Sequence, residues 1–188
     1  MKQKLLLSIA LLCMVAQGAW SQRVVDLSTI SSEYEAQDGD VLTGVFDSDN
    51  HPVRISIAEG ARVTLRDATI IGNSAYGKVY DGSGSVYYEY YYEYAGITCL
   101  GDATITLDGT NKVCGHAACY PGIMPGPSGT TLTINGDGSL EAYSHGSAPG
   151  IGTASRRGRN CGNIIIEGGN ITATGGDKEY YSPAIGCG

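Results

Sequence analysis

The chain has 188 residues, room for one domain of ordinary size. Glycine fills 28 positions, about twice the usual share of roughly 7%, while 42% of the residues are apolar and 16% charged. That balance excludes an all-helical fold, a collagen-like chain and wholesale disorder, and a net charge of −7 argues against a nucleic-acid partner.

Residues 1–21 read as a secretory signal peptide. Lys2 and Lys4 precede an apolar stretch from Leu5 to Ala16, and Ala19-Trp20-Ser21 is a small-x-small cleavage signal before Gln22. The stretch is shorter than the ~20 residues that span a bilayer, and no second apolar run follows, so no transmembrane span is predicted. The expected location is secreted, periplasmic or on the outer cell surface. Removal of the segment takes the net charge to −9 and leaves Cys99, Cys114, Cys119, Cys161 and Cys187.

Residues 22–52 are expected to form an N-terminal cap with leading strands. From residue 53 the chain repeats itself. Apolar tags end on Ile97, Ile123, Ile151 and Ile185, with an earlier equivalent at Ile55. After the tags come β-branched strands: Ala103-Thr-Ile-Thr-Leu107, Thr130-Thr-Leu-Thr-Ile134 and Asn163-Ile-Ile-Ile166. A polar or glycine turn follows each, then a second strand centred on Val113, Leu140 and Ile171. Steps of 8, 8 and 7 residues align Ile105 with Leu132 and Ile164. Thr104-x-Thr106 is thereby aligned with Thr131-x-Thr133.

One such unit cannot bury its own apolar face, but stacked units can. The pattern therefore predicts an all-β solenoid of about four coils over residues 53–188. Ile105, Leu107, Leu132, Ile134, Ile164 and Ile166 should point inward and Thr106, Thr133 and Ile165 outward. An antiparallel sandwich is the alternative.

Residues 96–111 and 161–176, with the Pro-Gly-Ile-Gly tag, resemble secreted bacterial parallel β-helix proteins of the Bacteroidales type. Some of these are described as carbohydrate-binding domains or adhesin-like repeats. The resemblance covers roughly residues 38–188. It implies a right-handed parallel β-helix and carries over no catalytic set.

Two insertions interrupt the frame. About 17 extra residues follow Ile70, and eight of the 13 tyrosines fall between Tyr76 and Tyr94. This Tyr-rich insert is expected to form a hairpin. In an extended strand Tyr88, Tyr90, Tyr92 and Tyr94 share one face. Rows of phenol rings suit the apolar faces and polar edges of sugars. The same insert could instead cover the solenoid flank, or offer an edge to a partner. The second insertion carries Arg156, Arg157 and Arg159, which could meet an acidic glycan or serve as a solvated loop.

Other chemistry is sparse. Cys114 and Cys119 are disulfide candidates, favoured over a zinc site with Cys99 and His116 because the expected compartment is oxidising. No cofactor is expected. Ca²⁺ remains open through Asp47-Ser48-Asp49-Asn50 and the turn acids Asp102, Asp108, Asp137 and Asp177. The leading expectation is a non-enzymatic protein that binds a polysaccharide or surface glycan. A lyase or hydrolase acting on acidic glycan and a purely structural surface repeat are the alternatives. The sequence stops just after a tag, so a capping domain or partner chain is expected at the C-terminal end.

Overall fold

A computed structural model describes residues 22–47, 53–72, 76–80, 82–83, 86–90, 94–116, 119–153, 160–176 and 182–186. The chain is a parallel β-solenoid with three walls. Numbered along the chain, the first wall holds β1 (Val24–Asp26), the starts of β3 (Val41–Asp47) and β5 (Ala61–Ile71), β9 (Ala103–Asp108), β12 (Thr131–Gly136) and β15 (Asn163–Ile166). The second holds the ends of β3 and β5, then β10 (Thr110–Cys114), β13 (Ser139–Tyr143) and β16 (Asn170–Thr174). The third holds β2 (Tyr34–Ala36), β4 (Ile55–Ile57), β8 (Ile97–Cys99), β11 (Ile123–Met124), β14 (Ile151–Gly152) and β17 (Ile185–Gly186). The first two walls form one bent sheet, because β5 pairs with β9 along its first half and with β10 along its second.

The isoleucine tags set the register of the third wall. Ile123 lies opposite Ile97 and Ile151, and Ile151 lies opposite Ile185. Ser56 opposite Thr98 brings Ile55 into the same column. Ile55, Ile97, Ile123 and Ile151 are fully buried, each worth about 1.5–3 kcal/mol relative to exposure. The glycine before the tag has a steric reason. A Cβ on Gly122 would lie 2.5 Å from the Val113 carbonyl oxygen, where wall two hands the chain to wall three.

The leading strands of residues 22–47 join the ladder: β3 pairs in parallel with β5 and β2 with β4. One sequence expectation needs correction: β12 stacks on β9 two residues away from the expected alignment, whereas Leu132 lies opposite Ile164 as expected. Ile105 lies opposite Val63 and Ile134, Ile134 opposite Ile166, and Leu132 opposite Ala103. A shift of two keeps every side chain on its face, so Ile105, Leu107, Leu132 and Ile134 are still buried. The shift leaves Gly136 opposite Leu107. Gly136 has φ +98°, and a side chain there would strike the Leu107 backbone.

In the second wall Leu140 lies opposite Asn111, and Val113 opposite Ala142. Asn111 is 1% exposed and occupies an interior position at the bend. Its Oδ1 accepts from the Ala68 amide at 2.9 Å. Its Nδ2 donates to the Asp108 carbonyl at 3.2 Å and the Ser139 carbonyl at 3.1 Å. One amide thus joins three successive coils. Asn111→Ala leaves the Ala68 N–H without its acceptor, and a buried unsatisfied group of this kind costs about 1–3 kcal/mol. With the two other bonds lost as well, we expect stability to fall by about 2–4 kcal/mol. The midpoint of urea unfolding measures this; an unchanged midpoint would remove Asn111 from the account of the bend.

Candidate functional site

The bend between the first two walls carries a groove. The chain turns there through residues with positive φ: Asp67 in β5, Gly109 between β9 and β10, and Gly169 between β15 and β16. Asp67, a non-glycine residue at φ +48°, is held by its own side chain, since Oδ1 accepts from the Thr110 amide at 2.9 Å. Outside the bend lies a groove of about 710 Å³, lined by Arg66, Thr106, Asp108, Asp137, Ser139 and Asn170 among others. It crosses four coils, from β5 to the start of β16. Three inter-strand steps of ~4.8 Å make it roughly 14 Å long.

The groove is chemically mixed. The Arg66 guanidinium meets Asp108 at 2.6 Å, and both side chains are about half exposed. Thr106 donates to the Asn135 side-chain oxygen at 2.8 Å. A smaller groove of about 390 Å³ continues along the second wall and shares Thr110, Ser139 and Asn170 with the first. It adds Lys112, Glu141 and Thr172. Lys112 Nζ lies 3.2 Å from Glu141 and 5.0 Å from the centre of the Tyr143 ring. Burial, then the neighbouring Cys114 and Glu141, push the Tyr143 hydroxyl up to about 12.

The opposite border of the second wall anchors the tyrosine-rich insert. Strands β6 (Tyr76–Tyr80) and β7 (Val86–Tyr90) pair antiparallel, as the expected hairpin requires, with Tyr90 opposite Tyr76 and Tyr88 opposite Lys78. Tyr88 and Tyr90 therefore lie in β7, while Tyr92 falls outside the described residues. Tyr94 does not extend the row. It is half-buried, its carbonyl accepts from the His116 amide at 2.8 Å, and its ring stands edge-on to His116 at 6.4 Å. Tyr94 is thus held against the corner of the solenoid at His116.

In the sequence His116 stood out only as part of the disfavoured zinc reading. It is 1% exposed, wedged between the edges of Phe46 and Tyr94, and neither ring nitrogen has a hydrogen-bond partner among the described residues. His145 stands at the same corner one coil on, with Nε2 2.6 Å from the Gly72 carbonyl. His51 falls outside the described residues.

The expected Cys114–Cys119 bridge is not formed, and both are free thiols. Cys114 is buried and donates to the Gly115 carbonyl at 3.4 Å, while Cys119 receives a hydrogen bond from Ser147 in the next coil at 3.6 Å. Burial pushes the Cys114 thiol up to about 11 and that of Cys99 to about 12, so both are protonated thiols at neutral pH. Among the described residues no group of three or more His, Cys, Asp or Glu side chains is placed to hold a metal ion. Asp102 instead links two coils, accepting from the Thr131 amide at 2.7 Å. Arg156, Arg157, Arg159, Asp49, Asn50 and Asp177 lie outside the described residues.

Comparison with known proteins adds one similarity. The β-helix repeat family model matches residues 132–155 and 164–188, which correspond to the coils of β12–β14 and β15–β17. Searches of curated proteins and of solved structures found no match. Among the described residues no helix is long and apolar enough to cross a membrane.

Burial, with His145 adding to it, lowers the His116 pKa from 6.5 to about 4. The unfolded chain takes up a proton near pH 6.5, whereas folded His116 stays neutral until about pH 4. Stability is therefore lost as pH falls through that window, by on the order of 3 kcal/mol at its lower end. We expect His116→Phe to lose less stability than the parent chain between neutral pH and about pH 4.5. Thermal melts at both values check this; equal acid sensitivity in the two proteins would refute it.

Proposed function

We propose that the chain is a carbohydrate-binding β-solenoid that acts without catalysis outside the cytoplasm. The observation that supports this is the groove at the bend. Its hydroxyls, amides and carboxylate lie across four coils, on Thr64, Thr106, Ser139, Asn170 and Asp137. Sugars present closely spaced hydroxyls that both donate and accept, and such a mixed lining answers them. The groove's length favours an oligosaccharide over a single ring. In it Arg66 is tied to Asp108, and in the continuing groove Lys112 is tied to Glu141. Engaged pairs orient a ligand more readily than they exchange protons with one.

The hairpin supplies a second element of this reading. Tyr88, Tyr90 and Tyr92 would offer ring faces to sugars beyond the groove, and Arg156, Arg157 and Arg159 would favour an acidic glycan. Export of the chain follows from residues 1–21, and the matching expectation is a mature protein whose N-terminal residue, read by mass spectrometry, is Gln22.

Glycan-array binding tests the main proposal. We expect the wild-type protein to retain a polysaccharide, and Asp137→Ala with Asn170→Ala to weaken it about tenfold, a loss of about 1.4 kcal/mol. Tyr88→Ala with Tyr90→Ala and Tyr92→Ala should weaken it comparably. No binding by the wild type would overturn the reading. Unchanged binding by the tyrosine variant would confine the site to the groove. Release of unsaturated sugars from pectin in the presence of Ca²⁺ would replace binding with lyase activity.

A further inference from the structure

Of the aligned threonines on β9 and β12, only Thr106 enters the groove at the bend. Thr104, Thr131 and Thr133 line a second concavity of about 210 Å³ at the start of the first wall, together with Gly60 and Asp102.

The two-residue shift between β9 and β12 builds this concavity. It sets Thr133 opposite Thr104 and Asn135 opposite Thr106. Thr106 donates to Asn135, so that pair is engaged with itself. The hydroxyls of Thr104, Thr131 and Thr133 make no hydrogen bond among the described residues, and the three side chains are half-buried. They stand on the outward side of parallel strands ~4.8 Å apart. Their support is fixed. The Asp102 side chain accepts from the Thr131 amide at 2.7 Å, and its carbonyl accepts from the Gly60 amide at 2.7 Å. Asp102 thus ties three coils together beside the threonines.

The concavity lies next to the groove at the bend. Thr104 and Thr106 share one face of β9, two residues or ~7 Å apart. The groove in turn passes into its continuation along the second wall through Thr110 and Ser139. Three hollows therefore follow one another in the direction of the strands. From residue 104 to residue 112 that path is at most roughly 26 Å, at ~3.3 Å per residue. It is longer than the ~14 Å that the groove spans from coil to coil.

We propose that Thr104, Thr131 and Thr133 form a further sugar subsite, so that a linear glycan lies along the strands and follows the bend rather than running from coil to coil. The inference rests on the groove being a carbohydrate site. Threonine hydroxyls donate and accept, as sugar hydroxyls do. The ladder already fixes them in place, so little ordering opposes binding. A short oligosaccharide fills the groove alone, and only a longer one reaches the threonines.

Affinity measured against chain length tests this. The probes are xylo-, cello- and galacturono-oligosaccharides from dimer to octamer, titrated calorimetrically into the protein. In a series that binds, we expect affinity to keep rising from tetramer to octamer. Thr104→Val with Thr133→Val should weaken the octamer about tenfold and leave the shortest binding member unchanged. Valine suits a strand as well as threonine does, and an unchanged circular dichroism spectrum checks the fold. Thr133→Val alone repeats the test with a smaller alteration. Asp137→Ala with Asn170→Ala should instead weaken every length. No loss from the threonine variants, or an equal loss at all lengths, would overturn the further subsite and leave the groove standing. Absence of binding at any length would overturn both.

Discussion

Every structural feature of this protein depends on coils stacking in parallel, in register. The column of Ile55, Ile97, Ile123 and Ile151, each fully buried, shows the constraint most simply. A parallel strand pair cannot be closed by a tight turn. The chain must travel round the other walls before it meets itself again, and each circuit brings an isoleucine back to the same place. The main-chain bonds between coils fix spacing, and the isoleucines fix rotation and register. Because one coil cannot bury its own face, stability resides in the interfaces between neighbours.

The bend between the first two walls is where this regularity is hardest to maintain. Strands β3 and β5 pass through it as continuous strands, and β5 does so with Asp67 at positive φ. Later coils break into two strands with glycine between them. The turn exposes backbone groups on its inner side, and Asn111 satisfies them from within. On the outer side the same turn creates the groove. One local problem, bending a sheet without orphaning its amides, therefore yields both an interior polar bridge and an exterior concave surface.

Much of this was legible in the sequence, and the failures have physical causes. The tag isoleucines could be aligned because a short apolar segment flanked by close-approach glycine tolerates little variation. The inward and outward faces followed from strand alternation alone. The two-residue misalignment of the first wall arose because loop length between tag and strand varies from coil to coil. Ile97 precedes Ile105 by 8 residues, whereas Ile123 precedes its partner Ile134 by 11. Periodicity reports face, not register, when the error is two. The first coil was legible only as a cap with entry strands, because β2, Tyr-Glu-Ala, has no β-branched residue and relies on pairing with β4. Asn111 was read as part of a turn, since Asp-Gly-Thr-Asn has that composition. Nothing local signals an asparagine bonded 43 residues back to Ala68. The groove was missed for the same reason: its residues are contiguous only across coils.

The separation of faces has a consequence for how such a chain can acquire function. Inward positions are held by contacts from the coils on both sides, so substitution there costs stability. Outward positions such as Thr133 and Ile165 meet only their neighbours on the wall and can change with little effect on the ladder. The groove is the exception. Asp108 pairs with Arg66 while its backbone carbonyl holds Asn111, and Ser139 lines the groove while its carbonyl receives the same amide. Side chains there face a ligand, and their main chain is fixed by the interior bridge. A ligand bound at the bend would meet groups already positioned by folding, with little ordering left to oppose binding.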